Sequence, residues 1–461
     1  MKRLCVVLVS LAVVTGVVLR LAWCEQRNAA ASRRVSWRSL VLWEPANEKF
    51  PFLHDEYLYY VSTAVNAFKG DGFFPDYNRA RDGVYVPPPL QSLFTLAVYR
   101  LHGRVVSPPV LQRWQVALAA VMILVSAEIG RRCAGNVAAV LAAWLVAVSP
   151  HFVYWTAFLQ TEANYLFGVA LVMLLLLRWW QRPEAVRAAS AALALGLLNL
   201  QRVNGLLLGP VFAVAALVRG GRRGAASAAT FLLLPLLVLL PWFVRNLLVY
   251  GEPILVNSNA GVHLHMSNNL QLDAAATPYL DAAITNKDMV FPREIESWYR
   301  NSLGRLRRKF TYYDYSQRYQ SVFLAYVREH PLHFLRNYAI KFWNQLALVQ
   351  DAPRQSVRLF GSWLFLVYDR VLLLGGLLGL GLGLLRRRGE IVALALGFGL
   401  QLAVGALGIL ERDGRYNAHL KLYLVWFLAY AVAEVLRSRR EQLTQHGVQD
   451  PAVPEVRDLD R

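Results

Sequence analysis

Cysteine is scarce in this sequence: 461 residues contain three, Cys5, Cys24 and Cys133. They form no CxxC pair and no Cys/His spacing of a zinc site. Cys5 and Cys133 flank apolar runs at different depths, so no disulfide framework and no dependence on redox state is expected. Charge is sparse as well, at 17% of residues against about 25% in soluble domains. Lysine is rare, with seven residues against 42 arginines. No Walker A loop, GxGxxG turn after a strand, HExxH or GxSxG occurs, so ATP-driven transport, dehydrogenase chemistry and zinc-protease chemistry have no support. The composition excludes a disordered chain, a collagen and a small disulfide-stapled module.

What the chain has instead is apolar length. Hydrophobic residues make up 56% and the mean hydropathy is +0.34. The apolar residues come in long blocks, which predicts an all-α integral membrane protein of about ten transmembrane helices. A first span covers residues 1–23. It starts with Lys2-Arg3 and is read as uncleaved, because the bulky Trp23 stands where processing needs a small residue. A mixed, aromatic and charged segment follows over 24–110, and within it Leu90–Leu101 is too short to span and reads as interfacial. A bundle occupies 111–243, with a break at Gln201-Arg202 dividing two helices between 185 and 218. A second long segment covers 244–362 and contains two amphipathic helices over Gln317–Val349, separated at Pro331. The last spans fill 363–436, and 437–461 is a polar tail expected to lack packed structure.

The net charge of +19 would suggest nucleic acid in a soluble protein. Here the arginines sit at alternate junctions: Arg131-Arg132, Arg178–Arg187, Arg219–Arg223, Arg386–Arg388 and Arg437–Arg440. The intervening turns at Ser149–Trp155, Gln201-Arg202 and Glu411–Arg415 carry little net positive charge. That alternation follows the positive-inside pattern, so no nucleic-acid partner is expected. It places both termini inside and both long segments, 24–110 and 244–362, outside. Chemistry is therefore expected on the outer face of a bacterial inner or plasma membrane, toward the periplasm or exterior.

Five local features are candidates for that chemistry. His54-Asp55-Glu56-Tyr57 puts two adjacent acids near the membrane surface, where they are solvated, catalytic or metal-bound, unless Asp55 only caps the helix that follows. Pro241-Trp242-Phe243-Val244-Arg245-Asn246 ends a span with an arginine suited to a phosphate, or to snorkelling toward lipid headgroups. His263 and His265 share a face if their segment is a strand, and lie in a polar turn otherwise. Thr161-Glu162 puts a carboxylate at the mouth of a span, either functional or a buried partner for an arginine. Glu411–Tyr416 is a charged turn whose Arg415 faces solvent or a lipid phosphate.

These features occur in an order that resembles the C superfamily of membrane glycosyltransferases, which use polyprenyl-phosphate sugars. The closest likeness is to the branch of protein O-mannosyltransferases and lipid A aminoarabinose transferases. The residues that carry the resemblance are Asp55-Glu56-Tyr57, Pro88-Pro89-Leu90, Ser149-Pro150 with Thr161-Glu162, Pro241–Asn246, Asn259–Asn269, Glu329-His330-Pro331 and Arg415-Tyr416. They extend over about residues 1–436. Val86-Pro87 stands where the aminoarabinose transferases carry Glu-Lys, which argues against that particular substrate.

The resemblance implies an inverting transfer of a hexose or pentose from a polyprenyl-phosphate donor to a hydroxyl of a protein, lipid or polysaccharide acceptor. By resemblance Asp55 is the base and Glu56 holds the loop or the acceptor site. Arg245, then Arg415 and Arg202, receive the departing lipid phosphate. Glu162 orients one of these arginines, and Asn246 belongs to the same substrate-binding set. No cofactor is implied with certainty, although a divalent cation assists in some relatives. Competing readings are a lipid-linked sugar flippase or permease, and an O-antigen ligase or polymerase. The flippase needs no paired acid in its first outer loop, and the ligase is expected to carry its largest outer loop late in the chain.

Overall fold

The computed structural model describes residues 2–32, 57–73, 83–84, 86–269, 310–346, 362–408 and 418–445. Asp55, Glu56 and Arg415 lie outside the described residues. Among the described residues the chain is helical, apart from a two-residue parallel pairing of β1 (Gly83–Val84) with β2 (Phe310–Thr311). Among the described residues eight helices are long and apolar enough to cross a membrane, and a bent pair makes a ninth. The chain is thus an integral membrane protein. Each expected apolar block falls on a helix, but Ala185–Asn199 is shorter than a full span.

The first helix, α1 (Lys2–Ser32), runs past the boundary expected at Trp23. Nothing between Glu25 and Ala31 breaks a helix, since Glu, Gln, Arg and Ala all favour it. Tertiary contacts fix this extension: Trp23 Nε1 donates to Tyr154 O at 3.1 Å, Asn28 Nδ2 donates to Gln112 Oε1 at 2.7 Å, and Arg27 donates to Ala157 O. Within the span, buried Arg20 donates to the carbonyls of Val146 and Ala147, which satisfies a charge that lipid would reject.

After a π-helical turn at Tyr57–Val61, α2 (Ser62–Lys69) ends at Gly70, whose φ of 89° only glycine adopts at little cost. The segment expected to be interfacial is α3 (Pro89–His102). It starts on a proline already fixed near helical φ, and it buries Gln91, Ser92 and Thr95. Next come α4 (Pro108–Ala134), α5 (Asn136–Val148) and α6 (Pro150–Thr156). The turn expected at Ser149–Trp155 is instead helical. Ser149 caps α6 by accepting from Phe152 N–H, and α5 and α6 meet at a 53° bend. Helices α4 and α5 approach closely because Gly130 has no side chain: a Cβ there would lie 2.4 Å from Ala138 O.

The bundle continues with α7 (Glu162–Gln181) and α8 (Ala185–Asn199), then a 3₁₀ turn at Val203–Gly205, α9 (Leu208–Gly220) and α10 (Ala225–Tyr250). The break expected at Arg202 is present. A short helix α11 (Ala260–Met266) follows, then the amphipathic pair α12 (Tyr312–Glu329) and α13 (Pro331–Leu346), separated at His330 as Pro331 requires. The last three helices are α14 (Ser362–Leu385), α15 (Gly389–Gly408) and α16 (Ala418–Gln445). Helix α16 extends past Arg437, where a tail without packed structure was expected. Its next residues favour helix, and Arg437, Arg386 and Arg388 all meet buried Glu434 at 3.4, 3.0 and 3.3 Å. Tyr423, Trp426, Phe427 and Tyr430 of α16 are fully buried and pack against the rest of the bundle.

Candidate functional site

The motif segments converge at one end of the bundle. Leu90 N–H, in the first turn of α3, donates to Leu200 O at 3.3 Å. Leu90 also packs with Leu200, Val203, Leu239, Trp242 and Val256 in one apolar cluster. Three stretches distant in sequence therefore share a core: Pro88-Pro89-Leu90, the turn around Arg202, and Pro241–Asn246.

A polar layer sits against that cluster. Gln91 Oε1 accepts from Asn164 Nδ2 at 2.8 Å and from Gln201 Nε2 at 3.5 Å. Gln201 Nε2 also donates to Thr161 O at 3.0 Å. Arg202 Nη2 donates to Thr161 Oγ1 at 2.9 Å, and the guanidinium forms an ion pair with Glu162. Glu162 opens α7, so its negative charge also meets the positive end of the helix dipole. Its side chain is 1% exposed and that of Arg202 is 12% exposed. The Arg202 guanidinium lies 5.0 Å from the centroid of Tyr165, whose ring meets His419 edge-on at 5.4 Å. Arg202 is thus held from three sides, with one side still reaching solvent.

Arg245 has a different frame. It donates to Asn246 Oδ1 at 2.9 Å and to the carbonyl of Phe73, and its guanidinium stacks 4.9 Å from Trp242 and 4.8 Å from Tyr250. Asn246 Nδ2 donates to Ile254 O, and Trp242 Nε1 donates to Val256 O, which turns the chain after α10 back onto the helix. Val86 and Ser258 close the same region: Val86 N–H donates to Ser258 Oγ at 3.0 Å, and Ser258 N–H donates to Val86 O at 3.2 Å. Of the substrate-binding residues expected from sequence, Glu162 and Arg202 meet directly, as do Arg245 and Asn246. Neither Arg202 nor Arg245 merely snorkels, because each is oriented by named partners.

The histidine expectation is corrected. His263 and His265 lie on helix α11, where residues two apart point to nearly opposite sides. His263 meets Asn259 Nδ2 at 2.9 Å, while His265 is buried with its ring 5.0 Å from Tyr319. Among the described residues no three His, Cys, Asp or Glu side chains gather as a metal site.

Two buried charge sites were missed by the sequence reading. His151 Nε2 sits 2.9 Å from Asp369 Oδ1, and Lys421 Nζ donates to both Asp369 oxygens at 2.8 and 2.9 Å. This knot ties α6, α14 and α16 together. Asp369 and Lys421 stand inside apolar runs, and that was the available signal. The second is Lys341 of α13. It donates to Ser267 O at 2.8 Å and to Asn268 Oδ1 at 2.6 Å, and burial pushes its ammonium down to about 7. Asn268 Nδ2 in turn donates to Leu407 O at the end of α15.

Comparison with known proteins adds a family match over part of the chain and a likeness of fold. Residues 87–247 match the family model of dolichyl-phosphate-mannose-protein mannosyltransferases. That stretch contains Pro88-Pro89-Leu90, Thr161-Glu162, Arg202 and Pro241–Asn246. No curated protein matches the sequence. Among solved structures the chain is similar to the oligosaccharyltransferase AglB from Archaeoglobus fulgidus, in complex with an inhibitory peptide and a dolichol-phosphate. The TM-score is 0.54 and the identity 15%, over 99% of this chain and 53% of that one. The apo form of the same enzyme gives a TM-score of 0.53 at 15% identity, over 97% and 53% of the two chains. ArnT from Cupriavidus metallidurans superposes at a TM-score of only 0.36 and 19% identity, over 87% and 76%, too loosely to carry an argument. The chain spans about half the length of the oligosaccharyltransferase it matches.

Proposed function

From the fold of the C-superfamily membrane glycosyltransferases and the family match over residues 87–247, we propose that this chain transfers a sugar from a polyprenyl-phosphate donor to an acceptor hydroxyl. The transfer inverts the anomeric centre and takes place on the outer face of a bacterial inner membrane. One observation carries the reading: the Pro-Pro-Leu, Thr-Glu, Arg202 and Pro-Trp-x-x-Arg-Asn segments, dispersed in sequence, share one cluster at one end of the bundle. A flippase has no need of such a rim.

A lipid-linked donor fits a chain without a nucleotide-binding motif. When the sugar–phosphate bond breaks, negative charge builds on the departing lipid phosphate, and preoriented cations stabilise it. Arg245 and Arg202 suit that task. Each is aligned by hydrogen bonds and aromatic stacking before a donor arrives, so little reorganisation is needed. Glu162 keeps the Arg202 fork in place. Asp55 takes the proton of the acceptor hydroxyl as it attacks, and Glu56 supports the acceptor. Those two roles rest on the sequence motif. The assignment of Arg415 to the same task likewise rests on the sequence motif.

The test uses purified protein in nanodiscs with a panel of polyprenyl-phosphate sugars, following release of free polyprenyl phosphate. Wild type should release it from one donor class, and Asp55→Asn should lower turnover by about 10²–10⁴-fold with donor binding intact. Full turnover in Asp55→Asn removes the base assignment. Donor translocation across vesicles without any release supports the flippase instead.

A further inference from the structure

Helix α13 is inside out by the standard of a soluble amphipathic helix. Its fully buried residues are polar, Asn337, Lys341 and Gln345 at successive i+4 positions, flanked by half-buried Phe342 and Leu346 on the apolar core. Its exposed face carries Leu332, Leu335 and Trp343, the last two 55% and 64% exposed, beside exposed Arg336. A soluble helix does the reverse. The outer face calls for lipid. The inner face calls for something polar between α13 and the bundle.

Lys341 defines what that is. The residue is 4% exposed, and both of its partners, Ser267 O and Asn268 Oδ1, are neutral. Among the described residues no carboxylate pairs with it, and holding a charge on neutral partners alone is costly. One turn on, Gln345 is 5% exposed and neither its Oε1 nor its Nε2 has a partner. The amide lies over Gly405 of α15, where a Cβ would come within 2.5 Å of Oε1. An ammonium and a free amide donor on one face, under a helix whose back meets lipid, match an anion attached to a hydrocarbon chain. Helix α15 also packs against the 203–205 turn that follows Arg202, so this stripe and the arginine rim share a wall.

We propose that Lys341 and Gln345 bind the phosphate headgroup of a polyprenyl lipid entering beneath α13, with the tail lying along Leu335 and Trp343. The inference rests on the function proposed above and names the lipid-phosphate gate of that same site. Lys341 takes the place of a counter-ion, and the ligand's phosphate completes the pair.

The experiment measures binding of three probes to full-length protein in nanodiscs: polyprenyl phosphate, uncharged polyprenol and inorganic phosphate. Lys341→Met should weaken polyprenyl phosphate by about tenfold or more, leave polyprenol unchanged, and keep or raise Tm, because a buried charge held on neutral partners is removed. Lys341→Arg should retain part of the affinity, and Gln345→Ala should lose roughly threefold. Undiminished binding of polyprenyl phosphate by Lys341→Met overturns the proposal, as does a lowered Tm with unchanged affinity, which marks Lys341 as structural. Equal affinity for inorganic and polyprenyl phosphate, both lost in Lys341→Met, overturns the lipid assignment. Failure of wild type to bind polyprenyl phosphate overturns this proposal together with the functional reading. Binding by wild type that Lys341→Met leaves unchanged sinks this proposal alone.

Discussion

The two ends of the bundle use the same residue for opposite purposes. At one end arginines are numerous and exposed. Arg131 and Arg132 pair with Glu128 within their own helix, and Arg386, Arg388 and Arg437 gather around Glu434. Arg219 lies over the Trp180 ring at 4.3 Å. At the motif end two arginines are instead turned inward and held on several sides: Arg202 by Thr161, Glu162 and Tyr165, and Arg245 by Asn246, Phe73, Trp242 and Tyr250. An exposed arginine contributes charge and little else, which suffices to orient a membrane helix. An arginine fixed by stacking and hydrogen bonds presents a guanidinium in one direction, which is what a phosphate needs.

Three substitutions probe that contrast, beginning with the largest effect. Glu162→Gln removes the carboxylate from a pair of which one side is almost fully buried. It should cost on the order of 3 kcal/mol of stability by leaving Arg202 uncompensated, read as a fall in Tm in detergent. The double variant Glu162→Gln with Arg202→Met should recover much of that stability without restoring turnover. Recovery of both would reduce the pair to a structural tie.

Arg245→Lys keeps the charge and loses the planar fork and the stacking on Trp242 and Tyr250. Turnover should fall roughly tenfold or more, since a change of about 1.4 kcal/mol in transition-state stabilisation is a factor of ten. Stability should change little. Wild-type kinetics in Arg245→Lys would show that charge alone matters there, as it does at the opposite end.

Arg131→Gln should do least. Arg131 is 51% exposed and its pair with Glu128 is an i,i+3 surface contact, worth at most about 1 kcal/mol. Stability and turnover should stay near wild type. A drop in turnover comparable to that of Arg245→Lys would erase the distinction between the two ends.

Much of the membrane architecture was legible because lipid imposes a simple rule. A helix that crosses hydrocarbon must be apolar over its length, so the blocks at 111–243 and 363–436 stand out without any tertiary information. The Pro331 break and the Arg202 break were equally readable, since proline and an isolated cation interrupt an apolar helix for local reasons. The true ends of α1 and α16 were not. Residues 24–32 and 437–445 are polar enough to read as loop, and only contacts from Trp23, Asn28 and Glu434 show that helix continues there. His263 and His265 fit neither the strand nor the polar turn expected of them, because two alternating residues do not distinguish these from one helical turn.

The sequence by itself determined the class of solvent around this protein, the alternation of charged and uncharged junctions, and the residues whose order resembles a glycosyltransferase. Tertiary structure alone decided that Glu162 meets Arg202, that Arg245 is clasped by two rings, and that Lys341 faces inward onto Ser267 and Asn268. The reason is physical. Hydropathy is a property of each segment in lipid and can be summed along the chain. Charge pairing depends on distance, and only the folded bundle sets Arg202 against Thr161 and Glu162.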